Sequence, residues 1–505
     1  MANPSRRRAV AAAVLLVTAG TTLRLAYFSG YGLGDDPNFK ATIESIVSNG
    51  PVIWLPKQAY TYRVTWWLPT GVACRLFGVS ERALILPITA MAVLGMIVVF
   101  AFAHLLWGLA GAVIATLLLT TYPLDFAWST MLTNDICCSL FGALCVLAAV
   151  AALRAPPGSR RQWLWVACAA NLLIVYHAKA SAIVLVCPIA VAGWLARDRV
   201  TRDDWVFPIA VSILFGLAFL FAYALTGDAL VPFFWEIRDG GLLNADAAKY
   251  HRLADSFWSF PRWLFWRDRY GHFLNGLDAI VFVVLATLSP WLGVRTDLVI
   301  LAWLLVTFVS LQFQMLPRGG VWVTIFRNMR HMHVLVYPLV LLLTGYLVEL
   351  RRRRPRLAHA TLAGLLGFGL WQSVATANVT HVAFGDMRAA ATYLARLPRK
   401  PVYADIHLVS WWQILGVPGW TFQALSWDPV VRRRELANVA DGYAVTGGGR
   451  EPYFGCNTCI ARAMELDPDR WILLKEFPGP REPVAWRLEP LRIWQARATG
   501  SALAK

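Results

Sequence analysis

Residues 6–28 read RRRAVAAAVLLVTAGTTLRLAYF. The apolar part, which follows three arginines and ends at Phe28, is long enough to cross a bilayer as a helix. It is longer than the apolar part of a usual signal peptide, and no convincing small-residue cleavage site follows, so we predict an uncleaved anchor. Because arginine is retained on the cytoplasmic side, this helix runs outward and residues 30–80 become the first external loop.

The composition identifies a polytopic membrane protein. Of 505 residues, 58% are hydrophobic and 15% are charged, with a mean hydropathy of +0.52. A soluble domain averages about 25% charged residues. The net charge of +17 comes largely from arginines between apolar segments, for example Arg154 with Arg160 and Arg161. Retention of positive charge on the cytoplasmic side explains this pattern and excludes a nucleic-acid partner.

Apolar segments continue to residue 377 and predict about eleven spans, starting with residues 9–28. The others lie at 83–106, 109–122, 136–153, 163–176, 182–195, 205–225, 276–292, 298–316, 332–350 and 357–377. Apart from the nearly uncharged Trp107-Gly108 turn, every turn on the predicted cytoplasmic side is basic. This alternation predicts an integral protein of the cytoplasmic (inner) membrane, with its N-terminus inside and its C-terminus outside.

Two parts of the chain are less apolar. Residues 38–48 and 60–76 of the first external loop predict two short helices along the membrane interface. Beyond residue 386, short alternating strands are predicted at 401–405, 442–445, 471–477 and 484–488. We therefore predict a transmembrane domain, residues 1–385, and a small extracytoplasmic α/β domain, residues 386–505. In the second domain, Cys456 and Cys459 are predicted to form a disulfide.

On this topology, the unusual polar side chains collect on the outer side. Acids this close to lipid are costly, so Asp35 and Asp36 are candidates for a site. The other candidates at this rim are Tyr60, Tyr62, Arg63, Asp125, Asp135, His177, Lys179, Arg327, Arg330 and His331. Cations bind phosphate, and a carboxylate can accept a proton from an attacking hydroxyl. The set therefore suits an anionic, lipid-linked ligand.

Each candidate also has a simpler explanation. Asp35 and Asp36 are suited to cap the helix that follows them, and Asp135 is suited to cap the fourth span. Lys179 could snorkel to the interface and do nothing else. We interpret Asp125 as a solvated loop acid.

The order of these motifs resembles the GT-C glycosyltransferases, in particular the bacterial relatives of protein mannosyltransferases and the aminoarabinose lipid A transferases. In that family a first span is followed by an acid pair, an aromatic-basic stretch and a Leu-Phe-Gly-x-Ser turn. This chain has them at Asp35-Asp36, at residues 60–63 and at Leu76-Phe77-Gly78-Val79-Ser80. His177-Ala178-Lys179 resembles the family's lysine-containing turn, and residues 327–338 resemble its basic turn before a proline-containing span.

The resemblance implies inverting transfer of a hexosyl or pentosyl group from a polyprenyl-phosphate donor to an acceptor hydroxyl outside the membrane. Asp35 would be the general base, and Asp36 or Asp135 would orient Asp35 or the acceptor. The substrate-binding residues would be Tyr60, Tyr62, Arg63, His177, Lys179, Arg327, Arg330 and His331. The partners would be membrane lipids, the donor, and a lipid, glycan or protein acceptor.

One departure from the family bears on metal binding. Aminoarabinose transferases have Glu-Lys-Pro where this chain has Tyr62-Arg63-Val64. Because Tyr62 replaces the family's metal-holding acid, we assign no metal ligand, disfavour a divalent ion and leave the acceptor class open. Two other functions also stay open: a transporter or flippase of a lipid-linked sugar, and a non-catalytic membrane scaffold. A transporter should carry polar residues at mid-span in broken helices, whereas here they lie at span ends.

Overall fold

The structure, a computed structural model, describes most of the transmembrane part and several pieces of the C-terminal part. These residues are 4–30, 36–49, 63–229, 295–313, 315–318, 321–324, 329–383, 385–404, 409, 412–413, 420–426, 429–446, 469–478 and 490–497. Within them the protein is mostly helical, as its composition predicts.

The α-helices of the described ranges are numbered in chain order. They are α1 (Pro4–Ala26), α2 (Asp36–Asn49), α3 (Val64–Phe77), α4 (Glu81–Thr120), α5 (Pro123–Trp128), α6 (Asp135–Arg154), α7 (Ser159–Ala178), α8 (Val186–Leu195), α9 (Val206–Thr226), α10 (Arg295–Phe313), α11 (Val336–Arg353), α12 (Pro355–Ala383), α13 (Gly385–Leu394) and α14 (Pro429–Ala437). A 3-10 helix at Met329–Leu335, called here the 329–335 turn, leads into α11.

The longest helix contains a sharp break. α4 has 40 residues, but Gly108 has φ 71° and ψ −165°, a backbone conformation that glycine adopts without steric cost. An unbroken helix of this length would be about 60 Å long, twice the thickness of the hydrocarbon core. The break lies at the turn predicted at Trp107-Gly108, between the second and third spans.

Six stretches of the described residues are long and apolar enough to cross a bilayer. They are Arg7–Ala26, Glu81–Thr120, Asp135–Arg154, Arg202–Ala224, Met332–Arg353 and Pro355–Ala377. The span predicted at 276–292 lies outside the described residues, and the total of eleven stays a prediction. The span predicted at 298–316 is too long, because α10 ends at Phe313 and the chain then forms a β-hairpin of β1 (Met315–Arg318) and β2 (Val321–Thr324).

The antiparallel helices α6 and α7 define the two ends of the bundle. Cys145 Sγ lies 3.4 Å from the carbonyl oxygen of Cys168, so these small side chains let the two backbones approach closely. Asp135 begins α6 and Lys179 follows α7, and we call their end the site end. Arg154 ends α6 at the opposite end, which we call the arginine end.

Both helices predicted in the first external loop are present, as α2 and α3. Their aromatic side chains face each other rather than lipid: the rings of Phe39 and Trp66 are 4.4 Å apart, and both residues are fully buried. Trp67 is equally buried, and α3 packs against α4. The two helices therefore belong to the packed core of the site end.

The C-terminal part contains a five-stranded mixed sheet in the order β4-β3-β5-β7-β6. Its strands are β3 (Val402–Ala404), β4 (Phe422–Ala424), β5 (Tyr443–Thr446), β6 (Trp471–Phe477) and β7 (Leu491–Ala496). β3 is parallel to β4 and β5, whereas β7 is antiparallel to β5 and β6. Three predicted strands correspond to β3, β5 and β6, and the one at 484–488 lies outside the described residues. Cys456 and Cys459 lie outside them as well.

Candidate active site

Asp135 and Lys179 come together at the site end. Lys179 Nζ lies 3.6 Å from Asp135 Oδ1, and the two side chains are 12% and 1% exposed. The other carboxylate oxygen of Asp135 accepts a hydrogen bond from Thr133 Oγ1 at 3.1 Å. Asn134 Nδ2 donates to the carbonyl oxygen of Ala178 at 3.3 Å, which ties the start of α6 to the end of α7. Two sequence candidates from different loops thus form one ion pair.

Lys179 also lines a partly open cavity. Its walls are largely apolar and include Leu185, Trp303, Leu311 and Val334. Within the described ranges, Lys179 Nζ has no hydrogen-bond acceptor in reach, although an ammonium carries three N–H donors. The lysine therefore keeps donor capacity for an anionic group, beside this largely apolar cavity.

Arg63 and His177 also lie at the site end, both partly buried. Arg63 immediately precedes α3, and Thr65 Oγ1 donates to the carbonyl oxygen of Ile174 at 2.7 Å. This bond places the start of α3 beside the last turn of α7. His177 lies in that turn, with its ring 5.6 Å from the ring of Tyr176.

The remaining candidates are described in part or not at all. Those outside the described residues are Asp35, Tyr60, Tyr62 and Arg327. Those for which only the backbone is described are Asp36, the first residue of α2, and Arg330 and His331, both in the 329–335 turn. In the parts of the chain that are described, no three His, Cys, Asp or Glu side chains gather as a metal site would require.

The interpretation of Asp125 as a solvated acid is wrong. Asp125 lies in α5 and is fully buried, because this short helix packs against α12, α4 and the 329–335 turn. Its carboxylate accepts hydrogen bonds from Arg24 Nη2 at 2.5 Å and from His333 Nε2 at 3.0 Å. Burial alone would raise the pKa of Asp125, but the charge of Arg24 and the bond from His333 outweigh it and lower that pKa.

Arg24 and His333 are fully buried, and neither is among the sequence candidates. A signal for Arg24 was present, since an arginine inside an apolar helix is costly unless something pairs with it. His333 carries no comparable signal, because a single histidine near a span end is common. Its importance appears only when the 329–335 turn is placed against α5.

The chain that leaves α1 for the first external loop is anchored to the second loop. Ser29 N and Gly30 N donate to Thr130 Oγ1 and to the Thr130 carbonyl at 2.9 and 3.0 Å. Gly30 has a φ of 86°, and a Cβ there would collide with the Arg388–Glu81 ion pair, whose closest atoms are 2.8 Å apart. The backbone that leads from α1 toward the Asp35-Asp36 pair is therefore held in place as far as Gly30.

Known proteins share this architecture. The family model of dolichyl-phosphate-mannose-protein mannosyltransferases matches residues 64–226, the segment that carries Asp135 and Lys179. The chain is similar in structure to ArnT from Cupriavidus metallidurans in the apo state, with a TM-score of 0.59 and 15% identity over 95% of this chain and 97% of that chain. For the same protein bound to undecaprenyl phosphate, the TM-score is 0.57 and the identity 15%, over 96% of this chain and 98% of that chain.

A third similar structure is the Archaeoglobus fulgidus oligosaccharyltransferase in complex with Zn and sulfate, with a TM-score of 0.51 and 12% identity over 86% of this chain and 68% of that chain. No curated protein sequence matches this chain. These likenesses show that the chain has the GT-C glycosyltransferase fold. This fold, together with the six stretches that are long and apolar enough to cross a bilayer, indicates an integral membrane protein. The resemblance inferred from the order of the sequence motifs is confirmed.

Proposed function

We propose that the protein is an inverting glycosyltransferase that uses a polyprenyl-phosphate sugar on the extracytoplasmic face of the inner membrane. The observation that carries this proposal is the Lys179 ammonium beside a largely apolar cavity. A polyprenyl phosphate has the matching pair of features, an anionic head and a long apolar chain. The structure of ArnT, which has a similar fold, contains bound undecaprenyl phosphate, and this supports the same class of ligand.

In the proposed reaction, Asp35 accepts the proton of the acceptor hydroxyl. The acceptor oxygen then attacks C1 of the sugar, and the bond from C1 to the phosphate oxygen breaks on the opposite face. The polyprenyl phosphate leaves with the bonding electrons, and the configuration at C1 is inverted. Lys179, Arg63 and Arg330 bind the phosphate and stabilise its developing charge. Asp135 holds the Lys179 ammonium in place. The pairing also offsets part of the positive charge that Lys179 presents to the phosphate.

The test compares variants of the purified full-length protein for binding and for transfer. Lys179→Met should weaken binding of undecaprenyl phosphate by about tenfold or more, because a buried charge-assisted contact to phosphate is worth about 1.5–3 kcal/mol. Lys400→Met is the matched control, since Lys400 pairs with Asp441 in the C-terminal part. With a panel of polyprenyl-phosphate sugars, Asp35→Asn should abolish transfer and leave binding of undecaprenyl phosphate in place.

Three results would contradict the proposal. Equal binding by the wild type and Lys179→Met would remove the lysine from the phosphate site. Transfer by Asp35→Asn at the wild-type rate would end its assignment as the base. Movement of the lipid between leaflets without consumption of the donor would replace the enzyme by the transporter alternative.

A further inference from the structure

A chain of four buried side chains, which we call the Asp125 network, joins four separate elements at the site end. Its members are Arg24 of α1, Asp125 of α5, Ser139 of α6 and His333 of the 329–335 turn, each at most 1% exposed. His333 lies 3.0 Å from Asp125 Oδ1 through Nε2 and 2.6 Å from Ser139 Oγ through Nδ1. An ionised carboxylate only accepts, so Nε2 carries a proton and donates to Asp125, while Nδ1 and the Ser139 hydroxyl share the second bond.

Charges buried this deeply need an explanation. Removing an ion pair from water costs several kcal/mol per ion, and a well-packed apolar replacement is often at least as stable. Here most of the polar groups have partners: Arg24 also donates to the carbonyl oxygens of Gly20 and Leu119, both at 3.2 Å, although its Nε has no partner among the described residues. A buried network whose hydrogen bonds link four elements favours one arrangement of those elements.

The order Ser139–His333–Asp125 is that of a nucleophilic triad, but the geometry does not suit catalysis. The hydroxyl of Ser139 has two backbone carbonyl oxygens within 3.1 Å, those of Asp135 and His333, as further acceptors for its one proton. The charge of Asp125 is already neutralised by Arg24. All the members are buried, so the network acts through its neighbours rather than on a substrate.

Those neighbours are the walls of the candidate active site. Cys138 and Val334, each one residue away from a network member, line the cavity that contains Lys179. Asp135 lies one helical turn before Ser139, and Arg330 and His331 precede His333 in the same turn. The network therefore joins one wall of the cavity to the segment that carries Arg330, a proposed phosphate ligand.

We propose that Asp125 and His333 are positioning residues, which hold the 329–335 turn against α6 so that the donor phosphate is bound in one geometry. This inference rests on the function proposed above. The Asp125–His333 bond sets the position of the turn, and the Ser139–His333 bond sets its distance from the start of α6. Loss of either bond lets Arg330 move relative to Lys179, and a phosphate that needs both cations is bound less tightly.

The experiment measures the affinity of the purified full-length protein for undecaprenyl phosphate, together with the unfolding temperature. Asp125→Asn and His333→Leu should each weaken binding by about tenfold, the size of effect typical of residues that act through a packed network. His333→Gln, which can still donate to Asp125, should keep most of the affinity. Asp204→Asn is the control, because it removes another hydrogen-bonded ion pair, Arg161–Asp204 at 2.6 Å, from the arginine end.

The expected result is that Asp204→Asn lowers the unfolding temperature as much as His333→Leu does and leaves the affinity within about twofold. Unchanged affinity in His333→Leu would overturn the inference and leave the proposed function intact. An equal loss of affinity in Asp204→Asn would show that the network acts only through general stability, which also overturns it. No binding of undecaprenyl phosphate by the wild type would overturn both proposals.

Discussion

At the scale of single residues, Gly95 shows how closely two helices of the bundle approach. A Cβ at this position of α4 would collide with the hydroxyl and ring of Tyr337 on α11. Tyr337 is fully buried, so its ring lies among packed neighbours rather than at a surface where it could turn away. The crossing of α4 and α11 therefore depends on the absence of a side chain at Gly95.

Gly95→Ala should lower the stability of the protein by about 1–3 kcal/mol, because the added methyl group overpacks a filled core. The control is Gly216→Ala in α9, where a Cβ would meet nothing within 4 Å. There alanine should be neutral or stabilising by about 0.5–1 kcal/mol, since it is the better helix former. Thermal unfolding in detergent measures both, and equal unfolding temperatures for the two variants would contradict the packing argument.

At the scale of elements, the junction between α12 and α13 buries an acid without a counter-charge in the described neighbourhood. Asp386, 7% exposed, uses Oδ1 to accept from Met387 N at 2.8 Å. Its Oδ2 is buried and has no hydrogen-bond partner among the described residues. Burial raises the pKa of Asp386 to about 6, against the smaller opposing effect of its bonds to backbone N–H groups.

This raised pKa predicts a pH-dependent stability. The folded state binds the proton of Asp386 more tightly than the unfolded chain does, so its contribution is most favourable below about pH 4 and is lost as the pH rises through about 6. Asp386→Asn should therefore unfold at a higher temperature than the wild type at about pH 8, by the equivalent of about 1–3 kcal/mol. At about pH 4 the two should unfold together. An equal offset at both pH values would contradict the assignment to Asp386.

At the scale of the whole molecule, the two ends of the bundle differ in chemistry. The site end carries the ion pairs Asp135–Lys179 and Arg24–Asp125, together with His333. The arginine end carries Arg154, Arg161 and the last turn of α11, which contains Arg351, Arg352 and Arg353. This asymmetry agrees with a cytoplasmic arginine end and an extracytoplasmic site end.

The orientation predicts the behaviour of reporter fusions. Alkaline phosphatase, which is active only outside the cytoplasm, should be active when it is fused after residue 505. The same enzyme fused within the 155–158 turn at the arginine end should be inactive, because that turn is predicted to lie inside. Reversed activities would place the candidate active site on the cytoplasmic side and exclude an extracytoplasmic transfer reaction.

Much of the architecture could be predicted from the sequence because it depends on local properties. Apolar length predicts spans, and arginine clusters predict which turns share a side. The two loop helices and three of the five strands were predicted for the same reason. β4 and β7 were missed, because the pairing that stabilises each of them involves strands that precede it by more than ten residues. The ends of α10 and α3 were also misplaced, since ends depend on neighbouring elements.

The sequence by itself determined the family resemblance, the sidedness of the charges and the candidacy of Asp135 and Lys179. Only the tertiary structure decided that these two form an ion pair, and that Asp125 is a buried acid rather than a solvated one. The partners of Asp125 are 101 and 208 residues away along the chain. The environment of a charge depends on which distant segments surround it, and no local pattern records that. Hydrophobicity and charge thus place the helices, whereas long-range packing decides which polar side chains can act together.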